Sequence, residues 1–355
     1  MVSPSSASDH QQLVIDLAEV LDKVSGLPHR KYLERAIAVL MRLAPADIER
    51  LDWKILTASL EDMERGIRLF HPYRHIRKVS IFGSARTPAD KPIYQMAMDF
   101  AQRMAQRGFM VITGAGDGIM AAGNEGAGCE RSFGLNIQLP FEQGANAFIE
   151  GDEKLISFKY FFTRKLFFLR ESDAIALFPG GFGTLDEAFE SLTLSQTGKY
   201  GPAPIVFINE SGSDYWHSLD AHIREHLLRE GLISPDDPSI YTITDDLDLA
   251  CAVIHRFYRV YHSSRYVGNQ LVLRLKTALP PTVIEFLNRE FNDLLTQGEI
   301  TPSQALPEEL GDETEALPRL VLEFNQKDAA RLLQMINKIN ELGAFALGQE
   351  HPEWK

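Results

Sequence analysis

The chain has 355 residues, 45% hydrophobic and 24% charged, with a formal net charge of −13. That length allows two or three compact units of soluble, globular composition, and the acidic balance argues against a surface that coats nucleic acid. Two cysteines without a CxxC or Cys/His cluster exclude a disulfide framework or a structural zinc, and no apolar run reaches transmembrane length.

MVSPSSASDH lacks the basic and apolar regions of a signal peptide, so the expected compartment is the cytoplasm. Residues to about Ser8 read as disordered. Leu13, Leu17, Val20, Leu21 and Val24 then follow helical spacing, ended by Gly26 and Pro28. A second helix is expected over His29–Leu43, and a third from near Asp47 to Phe70. Residues 1–75 are therefore read as a helical segment without a catalytic constellation.

At Lys78 the pattern changes to alternating strands and helices. Val79–Phe82 reads as a strand that ends in the turn Gly83-Ser84-Ala85-Arg86, and Pro92–Arg107 as a helix. Phe109–Ile112 reads as a strand running into a second glycine turn, Gly114-Ala115-Gly116-Asp117-Gly118, and a helix. Phe133–Leu139 is a third strand, followed by Pro140-Phe141-Glu142-Gln143. Phe158–Glu171 is a helix rich in aromatic rings that carries Arg164, Lys165 and Arg170. Asp173–Phe178 is a buried strand, Thr184–Thr197 a helix, Ile205–Ile208 a strand, and Tyr215–Leu228 a helix. A further helix, capped by Asp245 or Asp246, runs to about Tyr261. This order predicts an α/β fold, a Rossmann-like doubly wound parallel sheet over residues 76–262, with ligands beyond the C-terminal strand ends.

Residues 263–355 read as a small α/β unit: strand Gln270–Lys276, helix Pro281–Leu295, strand Arg319–Phe324 and helix Asp328–Leu342. Between them, Gln297–Ala316 reads as a polar, solvated loop, with Glu308, Glu309, Asp312, Glu313 and Glu315 clustered on it.

The stretch with the most chemistry is Pro179-Gly180-Gly181-Phe182-Gly183-Thr184-Leu185-Asp186-Glu187, a tight glycine turn between a strand and a helix. Glycines let the backbone approach a ligand, and the free amides of a first helical turn attract phosphate. Gly180, Gly181, Gly183 and Thr184 are thus candidate phosphate contacts, with Thr184 as a helix cap. Gly116 and Gly118 offer a second set, and Ser84 sits on a neighbouring turn. Glu187 is a carboxylate one turn in, and Asp186 stands beside it. The reading as mere complements of the helix dipole is the alternative for both. For Arg164 and Arg170 the alternative is a salt bridge to Glu171, Asp186 or Glu190. Phe82, Arg86, Met120 and Asn124 lie on loops suited to a base pocket or a core. Asp117 is a weak candidate acid and more simply a turn residue.

An Arg-Lys helix followed by Pro-Gly-Gly-x-Gly-Thr-x-x-Glu resembles the lonely-guy family of phosphoribohydrolases, over roughly Lys78 to Ile208. The resemblance implies hydrolysis of nucleoside 5′-monophosphates, of cytokinin riboside or purine type, to free base and ribose 5-phosphate. It implies catalytic roles for Glu187 and Arg164, with Lys165 and Arg170 near the phosphate. It also implies a homodimer with the site near the subunit interface. The expected cofactor list is empty, no metal site is evident, and neither nucleic acid nor membrane is an expected partner. The turns match neither a Walker sequence nor GxGxxG at Gly83. A lysine decarboxylase reading finds no lysine in a setting that indicates pyridoxal phosphate. The other class of function kept open is a nucleotide-binding sensor with little turnover.

Overall fold

A computed structural model describes Gly26 and residues 29–139 and 144–346. The expected first helix and the stretch Pro140–Gln143 lie outside the described residues. The chain divides into two compact units, Met1–Leu60 and Glu61–Lys355. In the first lies helix α1, Arg30–Leu43, close to the expected bounds. Helix α2 spans Arg50–Phe70.

The second unit is built on a seven-stranded parallel sheet: β1 Lys78–Phe82, β2 Met110–Thr113, β3 Ser132–Ile137, β4 Leu155–Phe158, β5 Ala174–Leu177, β6 Ile205–Ile208 and β7 Tyr241–Thr244. Its order is β4-β3-β2-β1-β5-β6-β7. The connecting helices are α3 Pro92–Gln106, α4 Ile119–Ala127, α5 Phe161–Arg170, α6 Phe182–Gln196, α7 Tyr215–His222 and α8 Leu247–Phe257. Beyond His222, α7 runs on as a π-helix over Ile223–Leu228. The fold is the Rossmann-like doubly wound class. The central strands are mostly apolar and buried along their length: β1, β2, β5 and β6 have no exposed residue. That is the signature of parallel strands covered on both faces.

Two strands of this sheet escape sequence reading. Both β4 and β7 have four residues and sit at the sheet edges. Half-buried edge strands carry neither a long apolar run nor enough alternations to declare a period.

The chain order reverses at β1. From it the sheet grows through β2 on one side and restarts at β5 on the other, so β1 and β5 flank the switch point. There the loops after the two strands meet: the Ser84 amide donates to the Pro179 carbonyl at 3.1 Å. In such sheets the crevice at this position is where ligands bind.

A second sheet, antiparallel, has the order β10-β11-β9-β8. Its strands are β8 Tyr261–Val267, β9 Gln270–Leu275, β10 Leu295–Ser303 and β11 Arg319–Phe324; its helices are α9 Pro281–Glu290 and α10 Ala329–Ala346. The expectation of a solvated loop over Gln297–Ala316 is overturned. Its first part is β10, masked in sequence by Gly298 at φ +73°, by Pro302 and by register shifts against β11. Further on, Glu309 is fully buried rather than solvated. It accepts from Arg274 (Nε at 2.9 Å, Nη2 at 2.6 Å) and from the buried Arg319 (Nε at 2.8 Å). The strand at Leu271–Leu275 completes this second sheet and not the main one. Asn340 of α10 bonds the amides of Val260 and Tyr261 and the carbonyl of Phe257, tying α10 to the end of α8. No helix among the described residues is long and apolar enough to cross a membrane.

Candidate functional site

A cleft of about 810 Å³ opens at the β1/β5 switch point. Its walls come from the loop after β1 (Gly83–Arg86), from Gly114 and Met120, from α5 (Phe161, Arg164, Phe168), and from the turn and first residues of α6 (Gly180–Glu187). Glu187, Arg164, Gly180, Gly181, Gly183, Thr184 and Ser84 therefore share one cavity.

The turn owes its shape to its glycines, each in a different way. A Cβ on Gly180 would stand 2.1 Å from Thr184 Oγ1 and 2.9 Å from the Ser84 amide nitrogen, so glycine is required by the protein's own packing. A Cβ on Gly181 or Gly183 would meet nothing within 4 Å. The space beside them is the cleft itself, where a ligand could come up against the backbone. The Tyr215 hydroxyl donates to the Gly180 carbonyl at 2.6 Å and pins the turn from the other side.

Helix α6 begins at Phe182, two residues before the expected start, with Gly181 as its cap residue. The Gly181 carbonyl accepts from the amides of Thr184 and Leu185. The amides of Phe182 and Gly183 belong to the first turn, which has no intrahelical acceptors. Thr184 does not cap the helix: its side chain is buried against Gly180.

Arg164 and Lys165 follow each other on α5 but do different things. Arg164 donates from Nε to the Leu135 carbonyl at 2.7 Å, lies with its Cζ 5.2 Å from the Phe168 ring centre, and reaches toward the Gly114 carbonyl. A Cβ on Gly114 would come within 2.4 Å of Arg164 Nη2, so that glycine makes room for the guanidinium. Burial pushes the Arg164 pKa down to about 10, partly offset by Glu187, and the group stays cationic at neutral pH. Among the described residues Arg164 forms no ion pair, contrary to the salt-bridge alternative. Lys165 Nζ instead meets three carboxylates of α6: Glu190 at 2.7 Å, Asp186 at 2.9 Å and Glu187 at 3.1 Å. It faces acids rather than the cleft wall. Burial alone would lower its pKa; the three carboxylates outweigh that and raise it.

Glu187 is buried. Burial raises its pKa above the usual carboxylate range, while Lys165 and Arg164 pull it back. It is thus a carboxylate paired with Lys165, within the field of Arg164, and opening on the cleft.

Other expected residues are elsewhere. Arg170 is half-exposed, pairs with Glu171, and lines a separate cavity with Arg77, Asp173 and Tyr258. Gly118 has φ +63°, and a Cβ there would lie 2.3 Å from the Ser84 carbonyl oxygen, which already accepts from the Ile119 amide. The Gly116 carbonyl accepts from Asn146. Neither glycine lines the cleft; they brace its rim. Asn124 is core: its Oδ1 accepts from Thr113 Oγ1 at 2.7 Å and from Asn146 Nδ2 at 3.0 Å. Asp117 is exposed, off the cleft wall.

Sequence reading missed the support behind α5. Asp62 of α2, fully buried, accepts from Thr163 Oγ1 at 2.7 Å and from the amides of Lys159 and Tyr160, seating the N-terminus of the helix. Gly66 lets the Phe167 ring approach: a Cβ there would be 2.4 Å from it. Both residues fall in the segment read as without chemistry. A lone Asp and a lone Gly on a surface-patterned helix carry no signal of a distant partner.

Known proteins resemble part of this chain. A rice protein (Oryza sativa subsp. japonica) described as a probable cytokinin riboside 5′-monophosphate phosphoribohydrolase, LOGL5, is 32% identical over 165 residues, 45% of this chain and 63% of that protein. A cytokinin riboside 5′-monophosphate phosphoribohydrolase of Rhodococcoides fascians is 36% identical over 91 residues, 26% of this chain and 44% of that one. Over less than half of its length the chain is similar to these phosphoribohydrolases. The sequence family that matches residues 113–254 is described as possible lysine decarboxylase. The match covers less than two thirds of either lonely-guy relative. Among solved structures, the molybdenum cofactor carrier protein of Chlamydomonas reinhardtii aligns at 17% identity and a TM-score of 0.35, over 51% of this chain and 97% of that one. Among the described residues there is no cluster of three or more His, Cys, Asp or Glu able to hold a metal ion.

Proposed function

We propose that the chain hydrolyses the N-glycosidic bond of nucleoside 5′-monophosphates, of cytokinin riboside or purine type, to free base and ribose 5-phosphate. The observation that carries this reading is the pairing of Glu187 and Arg164 in one cleft with the glycine turn at the start of α6. The 5′-phosphate lies against Gly181 and Gly183, where the helix N-terminus favours an anion. Arg164 supplies a fixed positive charge within the same cavity. Cleavage breaks the bond between C1′ and the base nitrogen through a cation-like ribosyl state. The Glu187 carboxylate stabilises that state and accepts a proton from the water whose oxygen adds to C1′; the base departs with the bonding pair and takes up one proton, so that the water ends as the C1′ hydroxyl and the N–H of the free base. Phe82, Arg86 and Met120 remain on the wall as surroundings for the base.

The proposal extends to assembly. Phe161, Phe162 and Leu166 of α5 and Phe189 of α6 are exposed apolar side chains on successive helices, and Phe182 is 94% exposed at the turn. A homodimer that covers these helices would bring a second subunit close to the cleft.

Incubation with a panel of nucleoside monophosphates, with base resolved from nucleotide by chromatography, tests the reaction. Release of free base with equimolar ribose 5-phosphate is expected. Nucleotides that bind and stay intact would replace this reading with that of a nucleotide sensor.

A further inference from the structure

Asp186, Glu187 and Glu190 all point at one ammonium group, Lys165 Nζ, at 2.9, 3.1 and 2.7 Å. Helix geometry explains the convergence. Glu190 lies on the same face as Asp186 and Glu187, at i+4 and i+3, one turn further along α6. The side chains differ in what else they touch. Asp186 is largely exposed and Glu190 is half-buried, so water can serve both. The Glu187 side chain is only 12% exposed and opens on the cleft. Three carboxylates this close together repel one another, and the repulsion falls most heavily on the one with least water. Among the described residues, charged groups from three segments surround Glu187. Lys165 and Arg164 come from α5, Asp186 and Glu190 from α6, and Arg86 from the loop after β1 on the same wall. Of the cations, only Lys165 lies within ion-pair distance of Glu187 among the described residues. Arg164 is fixed elsewhere, on the Leu135 carbonyl.

We propose that Lys165 is a positioning residue for Glu187: as the shared counter-ion of three carboxylates, it fixes the Glu187 carboxylate toward the cleft and keeps it ionised while Asp186 and Glu190 stand beside it. Lys165 itself does not line the cleft, so it acts through Glu187 and not on the substrate. The inference rests on the phosphoribohydrolase reading only for its catalytic meaning; the charge arrangement stands apart from it.

The test has two readouts on the full chain. The first is the carboxyl 13C resonance of Glu187, assigned by its loss in Glu187→Gln and followed against pH. The second is the pH profile of kcat/KM. In Lys165→Met the Glu187 midpoint should rise by about 1 unit or more, the scale of losing an opposite charge within 4–6 Å. The acid limb of kcat/KM should move up with it, so that the loss of activity is tenfold or more on the acid side and shrinks toward alkaline pH. Lys165→Arg should return both toward wild type. Lys165→Gln, with its fold checked by circular dichroism, repeats the measurement if the Met variant does not fold. An unmoved midpoint, with a loss of activity equal at every pH, would overturn the inference and leave Lys165 a structural residue. A wild-type chain that hydrolyses no nucleotide would instead refute the proposed function, and the carboxyl midpoint would still decide about Lys165.

Discussion

Glu309→Gln puts the least expected part of the structure to a quantitative test. The carboxylate is fully buried and accepts three guanidinium N–H bonds, two from Arg274 and one from Arg319, and its Oε2 also accepts from the Leu306 amide at 3.3 Å. Arg319 is equally buried, and its other donors are spent on the carbonyls of Thr314, Glu315 and Leu317. The amide of glutamine keeps the shape but removes the charge and turns a donor toward the two cations. Breaking a buried pair from one side costs about 3–5 kcal/mol, here because the buried Arg319 is left without a counter-ion while Arg274 keeps only Asp312 at 3.4 Å. At about 2–4 °C per kcal/mol for a domain of this order of size, that is a fall in Tm of roughly 6–20 °C. The pH dependence gives a second check. Burial alone would raise the Glu309 pKa; the two arginines and the Leu306 amide outweigh it and hold it below the ordinary value. Its contribution is therefore complete above the unfolded value, near 4.3, and is lost as pH falls through the depressed folded value. Thermal melts by circular dichroism at neutral pH and in a series of acidic buffers measure both. A Tm within about 1 °C of wild type at pH 7, or a gap that does not narrow in acid, would refute the reasoning.

Gly180→Ala and Gly181→Ala should part company. The first Cβ collides with Thr184 and Ser84 while the second meets nothing, so Gly180→Ala should shift the turn and lower kcat about 100-fold, the scale of a 1 Å misplacement. Gly181→Ala should fold with unchanged Tm and lose phosphate affinity; equal Tm and equal activity in both variants would show that the turn is not the ligand's seat. Glu187→Gln should lower kcat by at least about 100-fold with KM little changed, because the charge matters once the sugar is cationic. In the wild type, where burial raises the Glu187 pKa, the rate should fall as pH drops through a value above the usual carboxylate range; a limb at an ordinary carboxylate value would contradict that role. Arg164→Lys loses the planar fork and should cost about 10–100-fold in kcat/KM, the worth of about 1.5–3 kcal/mol for a bond to a charged group, and full activity would remove Arg164 from the site. Light scattering at micromolar concentration should give the mass of a dimer, and an active monomer would rule out a role for the exposed α5 and α6 rings in assembly.

The central strands were legible because parallel strands covered on both faces are near-continuous apolar runs, and Val79–Phe82, broken only by Ser80, Ala174–Leu177 and Ile205–Ile208 say so without context. The glycine turn before Glu187, and the basic helix before it, were equally plain, since chemistry that needs a bare backbone beside a carboxylate leaves a local pattern. What the sequence could not decide is which charges meet. Arg164, Lys165 and Arg170 look interchangeable along the chain, yet α5 turns them by about 100° per residue to different neighbours. One goes to the cleft, one to three carboxylates, and one to Glu171 at another cavity. Glu309 reads as a solvated acid for the same reason, and Asp62 gives no local sign of its partners. The cost of burying a carboxylate is met by several donors at once, and besides the near neighbours Arg65 and Leu306 these come from other segments, here Thr163, Arg274 and Arg319. Local pattern fixes what a residue is able to do, and only the packing of distant segments settles whether water, a cation or a substrate stands beside it.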